Sequence, residues 1–173
     1  MDRLLIQQIC MYLLDNIDRN VSSDELEEIF HYNKFYLIRQ FKEYTGLTPV
    51  SFVNECRVYN SIDPLIFTKE TILYIALNNH FNGLEQYSNK FKNVIGISPS
   101  KFRTLFSSLI NLAEKTNDAQ DLALLKDILV QINEYKEYLM NTNGDLTIPS
   151  AEPLERPKVY QLQDETRGAK KAA

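Results

Sequence analysis

"FKEYTGLTPVSF" spans Phe41–Phe52, and 50 residues further on the chain repeats itself as "FKNVIGISPSKF", Phe91–Phe102. Each position in the phrase has a mechanical role. Gly46 and Gly96 stand where a helix must close, because glycine enters the left-handed conformation of a helix C-terminus without steric cost. Two residues on, Thr48-Pro49 and Ser98-Pro99 set a hydroxyl N-cap before a proline at the first helical position, where the missing N–H is no loss. Phe41 and Phe91 then lie in the last turns of one helix, and Phe52 and Phe102 in the first turn of the next. Each pair is expected to bury against the corner. The phrase predicts a helix–sharp turn–helix corner, used twice.

A shorter helix precedes each copy. "SSDELEEIF" opens with Ser22 and Glu25 at capping-box spacing, and "TILYIALNN" opens with Thr71 and carries Ile72, Ile75 and Ala76 on one face. Tight polar stretches follow, "HYNK" at His31–Lys34 and "HFNG" at His80–Gly83, with Asn33 and Asn82-Gly83 suited to turns. Each half therefore reads as short helix, turn, second helix ending in Phe-Lys, which is a helix-turn-helix. Leu37, Phe41, Tyr87 and Phe91 recur at helical spacing and are expected in the core. The two halves are joined by a helix predicted from Pro49 to about Phe67, with Pro64 expected to kink it or end it near Ile62.

Composition narrows the function. With 44% hydrophobic and 24% charged residues the chain is ordinary for a globular protein. It holds no apolar run of the roughly 18 residues that a membrane helix needs, and its N-terminal stretch lacks a basic leader and cleavage site, so a cytoplasmic protein with no membrane partner is expected. Cys10 and Cys56 have no Cys or His at metal-ligand spacing and sit inside apolar helical patterns, which predicts buried free thiols and no metal. His31 and His80 are read as turn residues. No nucleophile–base set, paired carboxylates or glycine-rich phosphate loop occurs among the five glycines, so neither an enzyme nor a nucleotide cofactor is expected. Residues 1–106 carry 11 Lys/Arg against 12 Asp/Glu, and residues 107–173 carry 8 against 11, without the positive bias usual in nucleic-acid binders.

From about Leu4 to Arg103 the chain resembles the DNA-binding domain of the AraC/XylS family of bacterial transcription regulators. The likeness rests on "HYNKFYLIRQFKEYTGLTPVSFVNECRV" and "TILYIALNNHFNGLEQYSNKFKNVIGISPSKFR". Ile75, Ala76, Phe81, Phe91, Lys92, Gly96, Ser98, Pro99, Phe102 and Arg103 fill the family's C-terminal pattern. The resemblance implies an all-α fold with two helix-turn-helix subdomains joined by a linking helix, reading double-stranded DNA through successive major grooves. It implies base contacts from Lys34, Phe35, Ile38 and Arg39 in the first unit and Leu84, Glu85, Ser88 and Asn89 in the second, with phosphate contacts from Lys42, Lys90 and Lys92. Arg39 suits guanine, Asn89 adenine, and Glu85 a cytosine amine. The chain departs from the pattern at Glu27, where alanine is usual, at Ile38 and Gln40, and at Asn89, where many members have arginine. The more familiar family layout sets a ligand-sensing domain before the reader; here the reader is expected from residue 1.

Beyond Arg103, "DAQDLALLKDILVQINEYKEYLM" predicts an amphipathic helix with Leu125, Ile128, Ile132, Tyr135 and Leu139 on one seam. That seam has two readings, folding back on the reader or self-association through residues 122–139. The "NTNGDLTIPSAEPLERPK" stretch, with prolines at spacings of four, predicts a flexible tail. The expected layout is a DNA-binding domain at 1–106, a helical extension at 107–141 and a tail at 142–173. RNA polymerase or another protein is a further expected partner. The competing expectation is an AraC-like domain reused as a protein-binding module or antagonist through its acidic surface and C-terminal helix.

Overall fold

In the computed structural model, which describes residues 3–116, 119–140 and Pro157, the described residues form nine helices and no strand. These are α1 Arg3–Asp15, α2 Ser23–Phe30, α3 Lys34–Thr45, α4 Pro49–Asn60, α5 Ile62–Phe67, α6 Ile72–Asn78, α7 Leu84–Ile95, α8 Pro99–Thr116 and α9 Ala119–Met140. The all-helical expectation holds. Apart from Pro157, the tail expected at 142–173 lies outside the described residues.

The two copies of the phrase fold alike. Gly46 and Gly96 are left-handed at φ 75° and 93°, and each donates its N–H to the carbonyl of Lys42 or Lys92 at 2.9 Å. Thr48 and Ser98 hydroxyls then cap the next helix, accepting from the N–H of Ser51 at 3.2 Å and of Lys101 at 3.3 Å. Across the corners Phe41 meets Phe52 at 5.6 Å and Phe91 meets Phe102 at 5.4 Å, both edge to face at 77°. Such pairing adds roughly 0.5–1.5 kcal/mol beyond area burial. Leu37, Phe41, Tyr87 and Phe91 are all buried, as their spacing predicts. His31 and His80 are also left-handed, at φ 58° and 62°, and turn the chain out of α2 and α6.

The first unit is filled from behind by α1, whose Ile6, Ile9 and Leu13 are fully buried. Cys10 and Cys56 are buried and unlinked; burial pushes the Cys10 thiol up to about 12 and raises Cys56 further. In the second unit aromatic rings do the filling, with Phe81, Tyr87, Phe91, Phe102 and Phe106 packed in a continuous row.

The linking segment is two helices rather than one long one. Pro64 has no N–H to give the Asn60 carbonyl and its ring crowds that position, so α4 ends at Asn60 and α5 restarts after Ser61. Ser61 makes the break an ordered joint, because its buried hydroxyl donates to the Val58 carbonyl at 2.6 Å and accepts from the Tyr87 hydroxyl at 2.8 Å. Burial raises the Tyr87 pKa, so the phenol keeps its proton for that bond. Through it α7 is fastened to the linker.

The seam on α9 folds back onto its own chain. Leu125, Ile128, Ile132, Tyr135 and Leu139 are buried against α4 and α8. Tyr135 stacks near Tyr59 at 5.0 Å and donates its hydroxyl to the buried carboxylate of Glu55 at 2.9 Å, and Lys136 pairs with Asp63 at 3.0 Å. Of the two readings of the seam, the fold-back is the one seen within this chain, while Leu122 and Val130 of α9 remain exposed. α8 itself runs unbroken from Pro99 to Thr116, through residue 106.

Candidate nucleic-acid interface

The second helix of each unit presents a stripe away from the core. At 3.6 residues per turn, Phe35, Arg39 and Lys42 lie on α3 opposite Leu37 and Phe41, and Glu85, Asn89 and Lys92 lie on α7 opposite Tyr87 and Phe91. All six are exposed. Phe35 is 72% exposed. Leu84 is also exposed, whereas Ile38, Ser88 and Lys90 sit half-buried on the flanks. The expected base-contact set thus divides into outward residues and flanking ones.

Lys34, expected at base edges, has a partner within the chain. Its ammonium is engaged by the Asp24 carboxylate on α2, which raises its pKa, and lies 5.7 Å over the Phe35 ring. The backbone N–H of the same residue donates to Glu27 at 3.1 Å, while the Asn33 side chain accepts from Phe35 N–H at 3.0 Å. The carboxylate of Glu27, which replaces the usual alanine, therefore crosses from α2 to satisfy an orphan N–H at the start of α3, where negative charge also suits the helix dipole. In the second unit the matching residue is Ala76, fully buried, and the start of α7 is instead held by Gln86, whose amide oxygen accepts from Asn82 N–H at 2.9 Å.

Other cations are engaged by groups of the same chain. Arg57, buried at 4% exposure, donates from Nε to the Ile17 carbonyl and from Nη2 to the Arg19 carbonyl, both at 2.8 Å, and so closes the α1–α2 loop. Burial lowers its pKa. Arg19 pairs with Glu25, which also accepts from Tyr12; those two hydrogen bonds hold the Glu25 carboxyl down to about 2. Arg103 donates to the Leu65 carbonyl at 3.1 Å. Sequence reasoning missed Arg57, whose partners lie 40 and 38 residues away in the chain. Arg39, Lys42, Lys90 and Lys92 form no ion pair among the described residues. The cations thus divide, some engaged within the chain and others without an ion pair among the described residues on the outward or flanking faces of α3 and α7.

Comparison with known proteins agrees with this geometry. A family profile described as a helix-turn-helix domain matches residues 26–104. The chain is 30% identical over 99 residues to the Transposon Tn10 TetD protein of Escherichia coli, covering 57% of this chain and 72% of that protein. It is 25% identical over 142 residues to an HTH-type transcriptional regulator of Staphylococcus aureus strain MRSA252, covering 80% of this chain but only 19% of the relative; the figures for a regulator of strain MSSA476 are the same. Because the staphylococcal match takes in four-fifths of the chain, it runs into α9 wherever it begins. Two units of short helix, turn and outward-striped helix, with the match at residues 26–104 and the likeness to TetD, place this chain in the AraC/XylS-type helix-turn-helix family of DNA-binding transcription regulators.

Proposed function

We propose that the chain reads a specific double-stranded DNA site by inserting α3 and α7 into successive major grooves about 34 Å apart. The observation that carries this reading is the pair of outward stripes, Phe35–Arg39–Lys42 and Glu85–Asn89–Lys92, on helices that end in matching corners and are both packed against α4. Base reading falls to the outward residues and phosphate contact to Lys42 and Lys92, with Lys90 on the flank. Lys34, Ile38, Leu84 and Ser88 contribute shape around them. The protein acts as a binder rather than a catalyst, in the cytoplasm with its DNA.

Selection from a random duplex pool, followed by binding across a salt series, tests the reading. The expected outcome is a site of about twenty base pairs with a steep negative dependence of affinity on salt. No enriched sequence, together with no salt slope, would refute it.

A second reading, a module that meets RNA polymerase or another protein, is favoured by one observation. The outer face of α6 carries Leu73, Tyr74 and Leu77 at 47%, 49% and 51% exposure, where the matching face of α2 carries Asp24, Glu25 and Glu28. The two readings are compatible on one chain. Pull-down with purified polymerase, with and without Leu77→Glu, separates them.

A further inference from the structure

We infer that Tyr36 and Tyr32 form a platform that holds the Arg39 guanidinium in place for base reading, which makes Tyr36 a positioning residue for the first half-site. The inference rests on the reading of α3 as a recognition helix.

The geometry is local and specific. The Tyr32 and Tyr36 rings are stacked, 5.8 Å between centroids and 26° between planes. The guanidinium carbon of Arg39 lies 5.9 Å from the centroid of Tyr36, within the range at which an arginine is drawn to a ring face. Tyr36 and Arg39 are three residues apart on α3, so they share a side of the helix, and Tyr32 extends the row from the turn before it. Tyr36 is half-buried, which limits its rotamers, whereas Arg39 is exposed. The row therefore passes from a fixed ring to a free cation.

The neighbouring carboxylate does not compete for that cation. Glu43, four residues on, would be the usual partner of Arg39, but its carboxylate accepts from the Gln40 amide at 2.9 Å, and no ion pair to Arg39 forms among the described residues. Gln40, another departure from the family pattern, supplies that bond to one of the two Glu43 oxygens. Lys34, the other cation at this end of α3, is neutralised by Asp24. Arg39 is left without an ion pair among the described residues, with the Tyr36 ring beside it and Tyr32 stacked on that ring. A guanidinium that is already oriented loses less freedom when it forms the two hydrogen bonds to guanine O6 and N7. The second unit has no equivalent, with Gln86 and Asn89 at the positions of Tyr36 and Arg39.

The test compares Tyr36→Leu and Tyr36→Phe with the wild type on the selected site and on the same site with the guanine facing Arg39 replaced. Tyr36→Leu is expected to reduce discrimination at that base pair about two- to fivefold, the equivalent of an exposed cation–π contact. The salt slope should stay the same, because no charge is lost. Tyr36→Phe keeps the ring and should keep the discrimination. Arg39 Nε–H relaxation in the free protein should show a more mobile guanidinium in Tyr36→Leu and an unchanged one in Tyr36→Phe. Unaltered discrimination and unaltered Nε–H mobility in Tyr36→Leu overturn the platform while leaving α3 a reader. Parallel loss on all sequences would assign Tyr36 to folding instead. Absence of any selected site in the wild type would remove the reading on which the platform stands.

Discussion

On the first unit the residues facing away from the core are Phe35, Arg39 and Lys42; on the second, Glu85, Asn89 and Lys92 hold the same places. Beneath them Leu37 and Tyr87, Phe41 and Phe91, and Phe52 and Phe102 repeat the same buried register, with the same interplanar angle in both corners. Buried positions are held to a narrow choice because a packed interior tolerates little change of shape, whereas outward positions are constrained only by what they meet. The same scaffold thus yields an aromatic, cationic outward stripe and a polar, near-neutral one. The short helices diverge as well: α2 presents acids, two of which reach back to Lys34, and α6 presents leucines and a tyrosine.

The comparison can be broken most forcefully at the corners. Phe41→Ala and Phe91→Ala should each cost about 3–5 kcal/mol in urea unfolding, since both rings are fully buried. A loss under about 1 kcal/mol in one unit alone would show that the matched geometry conceals unequal packing. Next in size is Tyr135→Phe, which removes a donor from the buried Glu55 carboxylate and should destabilise by about 1–3 kcal/mol with no change in elution volume. Dissociation of an oligomer would instead assign α9 to a contact between chains. Asn89→Arg makes the second reader resemble the first; the logarithmic salt slope of DNA binding should steepen by about 0.9, and a constant slope would place α7 away from the duplex.

The smallest effect concerns pH. The Glu25 carboxyl is held below its ordinary 4.5, down to about 2, so its contribution to stability is present above 4.5 and is lost as pH falls through about 2. Glu25→Gln should therefore flatten the acid limb of the stability profile in that window. Because the Arg19–Glu25 pair is solvent-exposed, the change should be slight. An acid limb identical to wild type would show that this network, which has no counterpart among the described ion pairs of the second unit, leaves stability unaffected.

Local chemistry made the corners legible, because a left-handed glycine, a hydroxyl cap and a proline act within a few residues of one another. It also placed the break in the linker, since Pro64 forbids the bond that would continue the helix. What closes that break was not legible: Tyr87 lies 26 residues from Ser61, and nothing near either residue names the other. The same holds for α9, whose heptad spacing showed that a face would be buried but not which surface would cover it; the Tyr135–Glu55 bond spans 80 residues. Lys34 looked like a free cation because its partner Asp24 comes from the helix before it, across a turn whose geometry had first to be built. Glu27 stood out in the sequence only as a departure from alanine, because the N–H that its carboxylate meets lies seven residues on, at the start of α3.

The joint at Ser61 determines where strain would fall in a complex. Its hydroxyl is bonded on both sides, to Val58 behind and Tyr87 ahead, so it ties α7 to the linking segment and restrains α7 relative to α4. On the proposed docking, a mismatch between the angle of the two readers and the helical phase of DNA falls in part on the nucleic acid. Base pairs lying between the half-sites, which no side chain touches, would then be chosen for how easily they bend, with flexible pyrimidine–purine steps preferred there over stiff A-tracts.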